Sequence, residues 1–197
     1  MRHKVEKIIS QGRFQSYVQA RLDEARATVN PYSYGLRRTT VFLSHKHDEL
    51  DDLKHIIGFF QEKYGVKVYI DSRDPTMPKQ TTAETASNLK QRIRLCDKFV
   101  LLATNGAINS KWCNWELGYG DAQKYRDHIA ILPMKPQGSS DSSYRGTEYL
   151  SLYPYIRYED GTERKEDGTI IPSGYYVVTT DNGRTYYQTL GEWFSKR

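Results

Sequence analysis

Four short apolar runs recur along the middle of the chain, and they predict buried β-strands. Each run is rich in β-branched and aromatic residues, and each is apolar almost throughout instead of alternating with polar positions. The runs are TTVFLS (39–44), VKVYI (66–70), KFVLLA (98–103) and IAILPM (129–134). Strands that are covered on both faces have this pattern, so we expect them to form the centre of a sheet.

Helical spacing separates the runs. Apolar residues recur every three or four positions over 48–65, where Asp48 is a candidate N-cap and Gly65 a stop, and the same spacing recurs over 82–97. A third helix is predicted to begin in SKWCNWELGYG, with Asn109 or Ser110 as its cap.

This alternation of strand and helix predicts an α/β fold with a central parallel sheet and helices on both faces. In open sheets of this kind, ligands bind beyond the carboxyl ends of the strands, where the strand order reverses. The loops after Ser44, Ile70, Ala103 and Met134 are therefore the candidate binding loops.

The two ends of the chain have different patterns. Residues 3–29 have helical apolar spacing, and NPYSYGLRR then interrupts it, which predicts a helical arm and linker over 1–38 and a main domain over 39–197. After Met134, two EDGT segments and a DNG predict hairpins around a final strand near 175–179. LGEWF is expected to dock as a short helix at the end.

Composition and charge narrow the class of protein. A hydrophobic content of 38% with a mean hydropathy of −0.75 indicates a folded protein with a polar surface. No apolar run reaches the roughly 18–20 residues of a membrane span, and the amino terminus lacks a secretory pattern, so we expect a cytoplasmic protein without membrane contact. Cys96 and Cys113 are too few for a disulfide framework and lack zinc-ligand spacing, so buried thiols and no metal are expected.

The net charge of +5 is concentrated near the start of the chain. The first 38 residues hold eight Lys or Arg and three Asp or Glu, whereas the signs balance in the rest. These basic residues are spread along a helical pattern instead of clustered, which disfavours nucleic acid as a partner and leaves an acidic partner open.

The motif WCNWE contains the most informative carboxylate. Trp112 and Glu116 are four residues apart, so on a helix they share a face, and the ring can hold the carboxylate and exclude water. An ordinary amphipathic helix, with a core tryptophan and a surface glutamate, has the same spacing. Neither a P-loop nor a G-x-G-x-x-G fingerprint is present.

Three motifs in order resemble a known family: TTVFLSHKHDE, VYIDSRDPTMPKQT and SKWCNWELGYG. Together they are similar to Toll/interleukin-1 receptor (TIR) domains of the prokaryotic kind, over about residues 39–195, and in particular to the NAD+-processing proteins of Thoeris-type anti-phage defence. The resemblance implies a flavodoxin-like fold. It also implies cleavage of NAD+ to nicotinamide and ADP-ribose, a cyclic isomer or an ADP-ribosyl conjugate that serves as a second messenger.

The resemblance further implies site residues and partners. Glu116 matches the catalytic glutamate and Trp112 its supporting ring; Ser44 and His45 border the substrate cleft, and Asp71 is the acid at the end of the second strand. Lys79, in the loop that follows, offers a cation for a phosphate. NAD+ is then a substrate and no cofactor is needed, the chain is expected to form homo-oligomers through TIR–TIR contacts, and a separate effector protein would respond to the product.

A single carboxylate suits this chemistry. Nicotinamide leaves NAD+ as a neutral molecule and needs no general acid, whereas the ribose develops positive charge that a carboxylate stabilises. Two alternatives remain from the sequence: a TIR scaffold that acts only by assembly, and an enzyme of the nucleoside deoxyribosyltransferase type, which shares this architecture and also uses a glutamate.

Overall fold

The computed structural model describes residues 8–17, 38–46, 50–71, 82–135, 138 and 148–196. Within them lie eight strands and five α-helices. The strands are β1 (Ile9–Ser10), β2 (Thr40–Ser44), β3 (Lys67–Tyr69), β4 (Lys98–Ala103), β5 (Ile129–Lys135), β6 (Tyr155–Glu159), β7 (Gly174–Asp181) and β8 (Arg184–Thr189). The helices are α1 (Leu50–Tyr64), α2 (Ala83–Leu95), α3 (Asn105–Ile108), α4 (Lys111–Gln123) and α5 (Leu190–Ser195), with 3-10 turns at Arg126–His128 and Glu148–Leu152.

One sheet organises these elements, in the strand order β3-β2-β4-β5-β6-β7-β8. The first five strands are parallel, and β7 and β8 extend them as an antiparallel hairpin. The order of the parallel strands is that of flavodoxin-like folds, 2-1-3-4-5 in chain order. Its switch point lies between β2 and β4, so the carboxyl ends of these strands flank the expected ligand crevice.

The four apolar runs form β2, β3, β4 and β5, as predicted. Their side chains pack into two hydrophobic cores, one on each face of the sheet. One core contains Leu43 and Val100 of the sheet with Ile56 of α1 and Trp193 of α5. The other places residues of the opposite sheet face, among them Phe42 and Phe99, against α2 and α4. Helices therefore cover both faces, which explains why these strands are apolar throughout.

The fifth parallel strand, β6, is a difference from the prediction. The hairpin signals predict a final strand near 175–179, which is part of β7. The strand that pairs with β5 is instead YIRYE, with Ile131 opposite Tyr155. Arg157 and Glu159 are both buried there and form an ion pair. Charged residues are rarely buried unless they are paired, so a run that contains two of them does not look like a strand covered on both faces. The sequence pattern therefore did not predict YIRYE as a strand of the sheet.

The prediction of an amino-terminal helix is wrong for residues 8–17. Ile9 pairs in parallel with Met134 of β5, and the chain then turns at Gly12, whose φ of 85° is incompatible with an α-helix. Phe14 is buried, with its ring 4.6 Å from that of Phe59. This stretch therefore packs into the main core, and residues 1–7 and 18–37 of the proposed arm lie outside the described residues.

The predicted turns and end helix are present in the carboxyl-terminal region. Asn182 and Gly183 both have positive φ between β7 and β8, as a tight hairpin requires. In the two EDGT segments, Asp160 accepts a hydrogen bond from the N–H of Thr162, and Asp167 accepts one from that of Thr169. α5 then docks on the core. No helix among the described residues is long and apolar enough to cross a bilayer.

Two local features fix α4 against the sheet. Ser110, one of the two predicted caps, accepts a hydrogen bond from the N–H of Cys113 at 3.3 Å and starts the helix. Near its end, a Cβ on Gly120 would lie 3.1 Å from the ring of Phe99, so glycine allows the helix to approach β4 closely. This close contact fixes the distance between α4 and the sheet.

A lysine is buried at the amino-terminal edge of the same sheet. The side chain of Lys98 is fully buried, and its Nζ lies 4.9 Å from the centre of the Trp193 ring, with no hydrogen-bond partner among the described residues. Burial lowers the pKa of Lys98 to about 8, although the charge of Asp127 acts in the opposite direction. The folded state therefore carries an energetic cost whenever this amine is protonated.

Lys98→Met is expected to raise the free energy of unfolding at pH 7 by roughly 1–3 kcal/mol, because the folded protein no longer holds a cation away from water. Between pH 8 and 10.5 folded wild type loses this proton while its unfolded chain retains it, so wild-type stability rises relative to the variant. Urea unfolding at pH 7 and pH 10 measures both effects, with the exposed Lys165→Met as the control. A stability difference that is the same at both pH values contradicts the prediction.

Candidate active site

The candidate site lies at the carboxyl edge of the sheet, around the switch point. Ser44 ends β2 and His45 follows it, Asp71 comes shortly after β3, and Glu116 is on α4, which follows β4. These four residues were predicted from the sequence, and the structure brings them together. All four are buried, with exposed fractions of at most 7%.

A hydrogen bond between Ser44 and Glu116 is the central contact. The hydroxyl of Ser44 donates to Oε2 of Glu116 at 2.5 Å. The second oxygen, Oε1, has no hydrogen-bond partner among the described residues. Glu116 is thus not the surface glutamate of an ordinary amphipathic helix. Its carboxyl is oriented on one side and leaves one oxygen for a ligand hydroxyl.

The surroundings of Glu116 favour its protonated form. Burial raises the pKa of this carboxyl well above its usual range, and the charge of Asp71 raises it further. The hydrogen bond from Ser44 acts in the opposite direction, because it stabilises the carboxylate. The ionisation of Glu116 is therefore set by three contributions, of which burial is the largest.

Asp71 and His45 form the second part of the site. Oδ1 of Asp71 lies 4.0 Å from Nδ1 of His45, and the same ring nitrogen lies 3.3 Å from the carbonyl oxygen of Leu43. A proton on Nδ1 would be donated to that carbonyl, which orients the ring. Since Ser44 and His45 are consecutive, one short segment of β2 and its loop touches Glu116 on one side and Asp71 on the other.

Cys113 is a neighbour of the site that sequence analysis placed only as a buried thiol. It precedes Glu116 by three residues on α4, a spacing that could have placed both on one helix face. Burial raises its pKa to about 11, while hydrogen bonds with Ser110 and Ser44 lower it. At neutral pH the group is a thiol and not a thiolate, so it helps to fill the site and does not act as a nucleophile.

Trp112 begins a row of aromatic rings on α4. Its ring stacks on that of Trp115, with centroids 4.9 Å apart and planes 18° apart, and Trp115 stacks in turn on Tyr119. The amine of Lys90, on α2, lies 5.9 Å from the Trp115 ring and 5.7 Å from the Tyr119 ring. Trp115 was not among the site residues predicted from the sequence. Direct support of Glu116 by Trp112 stays a prediction.

Two further expectations concern charged groups. Lys79 lies outside the described residues, so its phosphate contact stays a prediction. In the part of the chain that the structure describes, no group of three or more His, Cys, Asp or Glu side chains is arranged to hold a metal ion.

The charge balance at Glu116 gives a prediction that needs no substrate. Ser44→Ala is expected to raise the pKa of Glu116, because it removes the bond that stabilises the carboxylate, and Asp71→Asn to lower it, because it removes a neighbouring negative charge. The ¹³C chemical shift of selectively labelled glutamate carboxyls reports the titration, and the Glu116→Gln variant assigns the signal. Shifts in the same direction for both variants contradict this account.

Comparisons with known proteins agree with this geometry. Residues 41–169 match the model of the TIR domain family. The chain is also 32% identical over 160 residues to the probable 3' cyclic ADP-D-ribose synthase ThsB' of Bacillus cereus strain MSX-D12, an alignment that covers 79% of this chain and 75% of that protein. With the flavodoxin-like strand order and the W-x-x-x-E helix beside its switch point, these matches show that the chain belongs to the TIR domain family.

Proposed function

We propose that this protein is a TIR enzyme that cleaves NAD+, releases nicotinamide and forms a cyclic isomer of ADP-ribose. The observation that carries the proposal is the buried carboxyl of Glu116, oriented by Ser44 with its second oxygen unpaired among the described residues. The similarity to a protein named as a cyclic ADP-ribose synthase supports the same reaction and a role in Thoeris-type defence, in which the product acts as a second messenger.

The reaction breaks the bond between the nicotinamide nitrogen and C1 of its ribose. Both electrons of the bond leave with nicotinamide, which changes from a cation to a neutral molecule, and the positive charge passes to the ribose. The carboxylate of Glu116 stabilises this charge, and its unpaired oxygen can bind a ribose hydroxyl. The carboxyl of Glu116 is buried, so this attraction is stronger than it would be in solution.

Glu116 must be ionised to act in this way, although its surroundings favour the proton. NAD+ brings a positive charge into the site, and a positive charge near a carboxyl lowers its pKa. Substrate binding and ionisation of Glu116 therefore support each other. Ser44 supports the ionised form of Glu116, because its hydrogen bond holds the carboxylate in position and stabilises its charge.

The other predicted residues have supporting roles in this proposal. His45 and Asp71 form the wall of the site at the end of β3, Trp112 lies one turn before Glu116 on α4, and Lys79 binds a phosphate of the substrate. NAD+ is consumed as a substrate, so the reaction needs no resident cofactor. In the cytoplasm, homo-oligomers form through TIR–TIR contacts, and a separate effector protein responds to the product.

A scaffold that acts only by assembly is the alternative from another class. Against it stands the burial of Glu116, since a desolvated carboxyl with an unpaired oxygen costs stability and a scaffold gains nothing from it. A nucleoside deoxyribosyltransferase is the other alternative. Membership of the TIR domain family favours NAD+ as the substrate over nucleosides.

Glu116→Gln is expected to reduce nicotinamide release by at least roughly 10²-fold, because the neutral amide removes the main electrostatic stabilisation of the ribosyl cation. Purified wild type and variant are incubated with NAD+ over a range of protein concentrations, and the products are identified by chromatography with mass detection. Glu166→Gln, an exposed carboxylate on a distant turn, is the matched control and should retain wild-type activity.

Each outcome of this assay has a separate meaning. Equal nicotinamide release by wild type and Glu116→Gln contradicts the assigned role of Glu116. Oligomers without nicotinamide release at any concentration, also after addition of lysate from phage-infected cells, favour the scaffold. Consumption of nucleosides in place of NAD+ favours the deoxyribosyltransferase.

A further inference from the structure

Two carboxyl groups, and not one, share the candidate site. Ser44 bonds to Glu116, and the next residue, His45, has its Nδ1 4.0 Å from Asp71. The charge of Asp71 raises the pKa of both Glu116 and Cys113, two residues one turn apart on α4. The end of β3 and the buried face of α4 therefore meet around the same space.

The two carboxyl groups differ in their contacts. Oε2 of Glu116 accepts the hydrogen bond from Ser44, and the residue is 1% exposed on the helix face. Asp71 is 7% exposed and comes after the last residue of β3, next to an imidazole. Glu116 is thus held in one position deep in the site, whereas Asp71 lies nearer to its rim.

Formation of a cyclic product requires a step that nicotinamide release does not. A hydroxyl oxygen of the adenosine ribose attacks C1 of the ribosyl cation, a C–O bond forms, and the hydroxyl proton must leave. For the whole reaction, NAD+ gives nicotinamide, the cyclic product and one proton. A carboxylate that neutralises the ribosyl cation loses that effect if it takes the proton while the new bond is still forming. The proton therefore needs a second acceptor.

We infer that Asp71 is this acceptor: its carboxylate takes the proton from the attacking hydroxyl during ring closure, while Glu116 remains the counter-charge of the ribosyl cation. The inference rests on the proposed function and extends it to the residue that selects the product. Asp71, which at 7% is the most exposed of the four site residues, then releases this proton to solvent. Asp71 is then a catalytic residue of the second step and not of the first.

Water and the substrate hydroxyl depend on Asp71 to different degrees. A water molecule that attacks the cation can release its proton to other water molecules, because it enters from solvent. The ribose hydroxyl belongs to the bound substrate and must attack from within the site, where the described side chains are buried. Loss of the carboxylate at position 71 should therefore suppress ring closure more than hydrolysis, and ADP-ribose should replace the cyclic product.

The test is the ratio of cyclic product to nicotinamide for wild type, Asp71→Asn and Asp71→Glu with NAD+ as the only substrate. Asp71→Asn is expected to lower the ratio of cyclic product to released nicotinamide at least about tenfold, as for loss of a general base. Asp71→Glu retains a carboxylate and should restore most of the cyclic fraction. Asp181→Asn, an exposed aspartate at the β7–β8 turn, is the matched control.

Two outcomes overturn the inference. One is an unchanged cyclic fraction in folded Asp71→Asn, and the other is wild type that releases nicotinamide but forms only ADP-ribose. Thermal unfolding of each variant confirms its fold, and the smaller Asp71→Ser replaces Asp71→Asn under the same criterion if the latter is unfolded. Failure of the proposed function gives a different result, because wild type then releases no nicotinamide at all.

Discussion

The hydrogen bond from Ser44 to Glu116 joins the two halves of the candidate site. It connects the end of the central strand β2 to the middle of α4, and it is the one hydrogen bond that the described residues provide to this buried carboxyl. A carboxyl so far from water is costly to bury, and the cost is reduced only if the acceptor oxygen is satisfied. The position of α4 is therefore constrained by this hydrogen bond as well as by packing.

The rest of the fold holds these two elements in register. Ser110 starts α4 at a defined residue, and Gly120 lets the far end of the helix lie against Phe99 of β4. The flavodoxin-like strand order places β2 between β3 and β4, so groups from three separate segments reach the same edge. A TIR domain with another residue at position 116 could retain this architecture and lose the chemistry, since function depends on the site and not on the fold.

Charged side chains are also buried at two other places in the fold. Arg157 and Glu159 form an ion pair within β6, whereas Lys98 has only the face of Trp193 beside its amine. In the first arrangement each charge is paired with one of opposite sign. The second lies at the edge opposite the candidate site, where an energetic cost does not disturb the carboxyls. Lys98 at the amino-terminal edge of the sheet and Glu116 at the carboxyl edge thus each have a buried polar atom without a hydrogen-bond partner among the described residues. Only Glu116 belongs to a motif of the TIR family.

The sequence by itself determined the parts of this protein that depend on neighbours along the chain. The four apolar strands, the helices between them, a cap at Asn109 or Ser110 and the turn at Asn182 follow from periodicity and from local backbone preferences. The W-x-x-x-E pattern, by resemblance to TIR domains, indicated Glu116 as the central carboxylate. These signals are local, because side-chain spacing on a helix or strand repeats within a few residues.

Only the tertiary structure decided how distant segments meet. Ile9 pairs with β5 instead of continuing a helix, and YIRYE is a central strand because Arg157 and Glu159 neutralise each other within it. The bond between Ser44 and Glu116 joins residues 72 positions apart, and no periodicity encodes that distance. Burial, and with it the ionisation of Glu116 beside Asp71, is a property of the assembled core. The sequence could therefore name the carboxylates, but the fold alone made them a pair.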